Sequence, residues 1–235
     1  MQAVELRINC DRNQEASMSK VIGVVQVKGG AGRSTIATNL AGMLSVEGKR
    51  VALIDCDMPQ GTSASWAAIR LADKPKSLTL ATASNHRELV EQVKRLDADH
   101  DYLVLDGPPR IAEMTRAALI LSHLCLIPMG ASAAEIWATS DLLATIHEAR
   151  EIKPEVDARI LWTRFRGSTK SAQELSHAAQ GELGLKELKA KLGYRVAFSE
   201  ALARGMTVTE WPERTARVEM QAVGKEIMRI MEGKK

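Results

Sequence analysis

From residue 21 onward, short aliphatic runs alternate with longer stretches whose apolar residues recur every three or four positions. The runs are VIGVVQV (21–27), RVALIDC (50–56), YLVLD (102–106), LCLIPM (124–129) and ARILWT (158–163). Between them, residues 34–47, 87–97, 111–122 and 133–151 carry helical periodicity. This rhythm predicts successive βαβ units, and so an α/β fold with a doubly wound, mostly parallel sheet flanked by helices. The runs are almost wholly apolar rather than alternating, as strands covered on both faces require. After residue 165 the pattern turns mostly helical, with one short strand expected near 194–198 and a closing helix over 213–232. No repeat or low-complexity linker interrupts it, so residues 18–235 are read as a single domain. Residues 1–17 are polar, precede a second methionine at Met18, and are read as a flexible N-terminal extension.

Charge changes this picture little. The formal net charge is +3, so any nucleic-acid footprint has to be local. The residues after Arg150 hold 16 Lys+Arg against 12 Asp+Glu, which makes the C-terminal part the basic one. Cys10, Cys56 and Cys125 show no metal-ligand spacing and no paired pattern, which suits a reducing cytosol. The first residues lack an apolar leader core, and no run approaches the roughly 18 apolar residues of a membrane span. A soluble, cytoplasmic protein without a membrane partner is expected.

Candidate chemistry sits where the aliphatic runs end. VKGGAGRST (27–35) places Gly29, Gly30 and Gly32 between a strand and a helix opening at Ser34. Glycines let backbone N–H groups turn around an anion, and the helix N-terminus adds partial positive charge. Ser34 is placed to offer a hydroxyl to Mg²⁺. VALIDCDMPQG presents Asp55 and Asp57 after one strand, and DYLVLDGPP presents Asp106 after another, at the sheet end where open parallel sheets gather ligands.

In this order and spacing, KGGAGRST, DCDMPQG and DYLVLDGPP resemble the ParA/MinD family of deviant Walker-type P-loop ATPases, especially the short ParA type. LIPMGASAAEIWAT, LWTRFRGST and GYRVAFSEALARGMTVTEW are similar to later family segments, so the resemblance runs from about Val21 to the end. It implies an Mg-dependent ATPase with ATP and Mg²⁺ as cofactors, slow in turnover, and a homodimer that closes around ATP. Lys28 matches the signature lysine that reaches the partner's phosphates, and Asp57 the residue positioning the attacking water. Ser34, Asp55 and Asp106 match the magnesium-site residues. Thr163 and Arg164 fall at the adenine contact, and the nucleotide site comprises Lys28, Gly29, Gly30, Ala31, Gly32, Arg33, Ser34 and Thr35. Two departures stand out. Arg33 replaces the general phosphate-loop lysine, and Met58 is inserted in the aspartate motif. A planar fork is not equivalent to a compact ammonium in a tight cradle. ATP binding is expected to survive, with Lys28, Asp57 and Arg33 as the catalytic set and hydrolysis slowed.

In the closing helix Ala216, Met220, Val223, Ile227, Ile230 and Met231 form an apolar stripe, and Arg214, Arg217, Gln221, Lys225 and Arg229 a polar one roughly opposite. A solvated charged face would show the same pattern. The resemblance implies more: nonspecific binding of nucleoid DNA through Arg195, Arg204, Arg214, Arg217, Lys225 and Arg229, with Lys189 and Lys191 beside them. It also implies a ParB-like or carboxysome-type adaptor and a plasmid, carboxysome or other assembly as cargo. Three alternatives stay open: a MinD-like membrane-cycling switch using the tail IMRIMEGKK, a nucleotide-binding scaffold with little turnover, and an iron–sulfur reductase of the same fold.

Overall fold

The computed structural model describes residues 18–58, 60–109, 112–165 and 170–233. The expected extension, residues 1–17, lies outside them. Seven strands form one sheet: β1 (Lys20–Val24), β2 (Val51–Asp55), β3 (Thr79–Thr82), β4 (Tyr102–Asp106), β5 (Leu124–Met129), β6 (Ala158–Trp162) and β7 (Lys186–Glu187). Their spatial order is β3-β2-β4-β1-β5-β6-β7, and every pairing is parallel. The doubly wound, parallel α/β architecture read from the sequence is the one observed.

Side chains alternate across the sheet, which explains runs that are apolar at every position. In β2 and β4, Ala52, Ile54, Leu103 and Leu105 enter one core, while Val51, Leu53, Tyr102 and Val104 enter the other. The first core is covered by α3 (His86–Leu96), α4 (Ala112–Leu121), α5 (Ala133–Ile152) and α6 (Lys170–Leu183). The second is covered by α1 (Arg33–Val46), α2 (Thr62–Asp73), α7 (Ala197–Leu202) and α8 (Arg214–Met231). Caps set several boundaries. Asn85 Oδ1 accepts from the N–H groups of Arg87 and Glu88 at 3.1 and 3.0 Å to start α3. Glu213 caps α8 in the same way through Thr215 and Ala216.

The structure departs from the expected elements in four places. Strand β1 ends at Val24 rather than Val27; Val25 keeps one ladder bond to Leu126 O, and Gln26 then turns its amide into the core. Helix α2 was not anticipated because its buried stripe is Ser63, Trp66, Ala67 and Arg70, correct in spacing but half polar. Strand β3 was also missed: it is a four-residue edge strand in which only Ala81 is buried. Residues 194–198 do not form a strand. Val196 is exposed, while Ala197, Phe198 and Ala201 are buried at helical spacing in α7, and the short strand lies earlier, at β7.

Helix α8 packs on α1 with Ala216, Met220, Val223 and Ile227 buried. Leading into it, Gly205 adopts φ +64°, and a Cβ there would lie 2.6 Å from the Arg70 backbone nitrogen. Gly205→Ala therefore combines a disfavoured backbone angle with a backbone clash and should lower stability by roughly 2–3 kcal/mol in a denaturant titration.

Candidate functional site

The glycine loop follows β1, crosses the C-terminal end of the sheet and enters α1. Gly30 and Gly32 hold φ +73° and +98°, angles that glycine adopts without penalty. Helix α1 has no side-chain cap at Gly32, so its first N–H groups are left for another acceptor. The loop separates two hollows. One, of about 400 Å³, is bounded by Ile36, Thr163, Arg164, Leu192, Tyr194 and Phe198 among others. The second, of about 480 Å³, is bounded by Arg33, Ser34, Asp57, Gln60, Thr62 and Pro109. Both share Gly30, Ala31, Gly32 and Thr35, so the loop forms their common wall. A larger hollow of about 600 Å³ lies at the opposite strand ends, beside Arg50, Thr79 and His100, away from the glycine loop and the motif aspartates.

Parallel pairing sets Asp55 beside Asp106, and both are fully buried. The Asp55 carboxylate accepts from Asp57 N at 2.9 Å and from Ala64 N at 2.8 Å, which ties the start of α2 to the strand end. Asp106 Oδ2 accepts from Ser63 Oγ at 2.7 Å, whereas its Oδ1 is buried with no partner. Burial pushes the Asp106 carboxyl from the ordinary 3.8 up to about 7, against the opposing pull of the Ser63 hydrogen bond and the Ser34 hydroxyl nearby. An orphaned buried carboxylate oxygen beside a second carboxylate and a serine hydroxyl is a donor set that suits a small hard cation. Ser34, Asp106 and, through water, Asp55 can hold Mg²⁺ there.

Arg33 lies beneath the loop. Its Nε donates to Gly107 O at 2.9 Å, and its Nη1 donates to Gln26 O at 2.6 Å and Lys28 O at 2.8 Å. Nη2 faces Asp57 Oδ2 at 3.5 Å. Lys28, in contrast, is 39% exposed, with Nζ 3.9 Å from Glu135 Oε1. The same oxygen accepts from Arg164 Nη2 at 2.7 Å, and Glu135 Oε2 accepts from Gly130 N at 2.5 Å. Arg164 is the one non-glycine residue with positive φ among the described residues, at 51°. Thr163 is buried against the loop, its hydroxyl 3.5 Å from Ala31 O.

The structure thus gathers Lys28, the 29–35 loop, Asp55, Asp57, Asp106, Thr163 and Arg164 at one end of the sheet. It adds four residues to which the sequence reading gave no role: Gln26, Ser63, Gly107 and Glu135. Glu135 was visible in sequence as the fourth member of Ser132-Ala-Ala-Glu, a capping-box spacing that marks a helix start. Ser132 does accept from Glu135 N, at 3.3 Å, but the carboxylate turns to the site cations.

The six C-terminal cations do not share one environment. Arg214, Lys225 and Arg229 are exposed on the face of α8 opposite its buried stripe. Arg217 is half-buried and donates to Trp211 O at 2.6 Å, and Arg204 stacks on the Trp211 ring at 4.9 Å. Arg195 pairs with Glu219 at 2.8 Å and borders the 400 Å³ hollow. Cys56 and Cys125 are buried, and burial pushes both thiols up, Cys125 to about 12. Neither is a ready thiolate for a cluster shared between subunits. No helix of the described residues is long and apolar enough to cross a membrane.

The fold and the loop define a phosphate-loop nucleotide-binding protein built on a parallel sheet. The chain belongs to the CobQ/CobB/MinD/ParA nucleotide binding domain family, which it matches over residues 22–208. It is 27% identical over 188 residues to maintenance of carboxysome distribution protein A of Halothiobacillus neapolitanus, covering 80% of this chain and 85% of that protein. It is 28% identical over 219 residues to the chromosome-partitioning ATPase Soj of Thermus thermophilus, covering 80% and 87% respectively. Among solved structures, an ATP complex of Cyanothece McdA superposes with a TM-score of 0.74 at 16% identity, covering 93% of this chain and 98% of that one. The cell division ATPase MinD of Pyrococcus furiosus gives 0.72 at 17%, with 91% and 100% covered. At these identities the structural likeness concerns the fold.

The raised Asp106 carboxyl has a sign that can be measured. The native state holds this proton more tightly than the unfolded chain does. Its contribution to stability is complete below about pH 4 and is lost as pH rises through about 7, at a cost of roughly 4 kcal/mol above that. Nucleotide-free Asp106→Asn should melt higher than the parent at pH 8, and the advantage should shrink as the pH falls to 5.

Proposed function

We propose that this protein is a ParA-type positioning ATPase: it binds ATP with Mg²⁺, pairs with a second copy around the nucleotide, and then holds nonspecific DNA. An adaptor tethered to a cargo stimulates hydrolysis and resets the cycle. The observation that carries this reading is the loop standing between two hollows. It separates a largely apolar chamber of nucleoside size, with Thr163 and Arg164 at its edge, from a chamber bordered by Arg33, Ser34 and Asp57. A triphosphate laid along the loop would meet the uncapped N-terminus of α1, with the base on one side and the reacting end on the other. The divalent ion would supply charge neutralisation at the phosphates. In this reading Asp57 orients water, and Lys28, exposed at the rim, is free to reach a partner's phosphates. Glu135 pairs with that lysine and with Arg164.

Relatives named for carboxysome distribution and for chromosome partition support a large assembly as cargo. Arg214, Lys225 and Arg229 give a basic face free of core duties, as phosphate contacts require. The membrane-cycling alternative is less well supported, because the apolar stripe of α8 is committed to the core through Met220, Val223 and Ile227. The scaffold alternative draws on the inward commitment of Arg33, which slows turnover without removing the loop amides. Residues 18–235 would act as one unit, in the cytoplasm and on the nucleoid.

The test is DNA binding over a salt series with ATP, ADP or no nucleotide, with phosphate release followed in the same samples. Binding that is salt-sensitive and confined to ATP is expected; indifference to nucleotide would sink the switch. Lys225→Ala combined with Arg229→Ala should weaken binding to all sequences alike and reduce the slope of log K against log salt by about 2. ATP affinity should not change.

A further inference from the structure

We infer that Arg33 is a positioning residue that latches Asp57 to the floor of the phosphate loop, and that an incoming phosphate opens the latch by competing for Nη2. The inference rests on the ATPase reading above for its consequence, and on the geometry of the Arg33–Asp57 pair for its existence.

A guanidinium carries five N–H donors in a rigid plane. Nε is spent on Gly107 O, and Nη1 is spent on both Gln26 O and Lys28 O. Those three carbonyls belong to the ends of β1 and β4 and to the loop between β1 and α1, so the side chain sews the floor of the site together. Withdrawing it would leave buried carbonyls unpaired, at about 1–3 kcal/mol for each group stranded. Only the Nη2 donors remain available to a ligand, and they face Asp57 Oδ2 at 3.5 Å. Both side chains are largely enclosed, with 7% and 14% of their surface exposed, so solvent screens the pair weakly.

The backbone of Asp57 is held at two points: its N–H donates to Asp55 Oδ1, and its carbonyl accepts from Gly61 N at 2.8 Å. Arg33 adds a third tie through the Asp57 side chain, and losing it loosens the backbone that the side chain anchors to the loop floor. A phosphate oxygen and the Asp57 carboxylate both want Nη2. When the phosphate takes it, the carboxylate is freed toward the hollow it borders. A lysine could not make this latch. One ammonium cannot span from Gly107 O to Asp57 while also holding the carbonyls of Gln26 and Lys28. The arginine that departs from the usual loop thus couples arrival of the phosphates to release of the residue that orients water.

Hydrogen exchange of the nucleotide-free full chain, read over residues 56–61, tests the latch without any turnover. Arg33→Lys should exchange about tenfold faster there and no faster in α8, where the fold is unaltered. If that variant does not fold, Asp57→Asn, which weakens the latch from its other side and leaves the carbonyl bonds intact, should show the same local acceleration. Single-turnover hydrolysis supplies the functional half. At saturating nucleotide, Arg33→Lys should hydrolyse bound ATP faster than the parent. Adding Asp57→Asn should abolish the gain. Unchanged exchange over 56–61 in a folded variant overturns the latch, and so does slower hydrolysis of bound ATP in Arg33→Lys, which would mean that Arg33 does not hold Asp57 back. If no variant and no parent protein binds ATP, the ATPase reading fails, while the exchange result still decides the latch.

Discussion

Two carboxylates with no exposed surface, Asp55 and Asp106, sit at neighbouring register positions of a parallel sheet, and the local architecture answers the cost of that pairing. Asp55 is satisfied by two backbone N–H groups, which fixes where the 57–61 turn and α2 begin. Asp106 is half satisfied by Ser63, a residue that α2 delivers to the spot. Arg33 brings its positive charge from below the loop, and its influence on Asp106 is among the effects opposing the upward shift. What remains unpaired is one oxygen, Oδ1 of Asp106. A ligand or cation that satisfies it adds to the stability of the whole chain.

How much of this could be read beforehand depended on which physical signal each part emits. The five long strands were legible because burial on both faces demands an unbroken apolar run, as in Leu103–Val104–Leu105. Helix α2 and strand β3 were not, since their buried faces carry Ser63 and Arg70 in one case and a single alanine in the other. The motif aspartates were legible from their place after aliphatic runs. Gln26 and Glu135 were hidden because ordinary roles, strand residue and helix cap, account for their spacing equally well. Arg33 could be located but not oriented. Sequence alone gave no means of knowing that its donors turn inward, because the acceptors are backbone carbonyls that any residue would present.

The basic face on α8 and the site are also joined, through α1. Asn39, on α1, donates to Thr35 O at 2.7 Å near the loop and accepts from Val208 N at 2.7 Å and Thr207 Oγ1 at 3.1 Å. Arg70 of α2 pairs with Glu210 at 2.7 Å. One helical turn further along α1, Met43 closes on Gly224 of α8, where even a methyl group would meet its terminal carbon at 2.0 Å. The segment that leads into α8 is therefore anchored to the loop's own helix by buried polar bonds and close packing. Such bonds make the two move together more readily than apart.

The four tryptophans occupy sharply different surroundings. Trp66 and Trp162 are sealed in the two cores, each with its indole N–H bonded, and Trp211 is covered by the Arg204 guanidinium. Trp137 alone stands mostly in water, 66% exposed, two residues after Glu135 on α5. The protein therefore carries its own optical probe. Iodide quenching and the red edge of its emission report on a single indole, on the helix whose first turn carries Glu135.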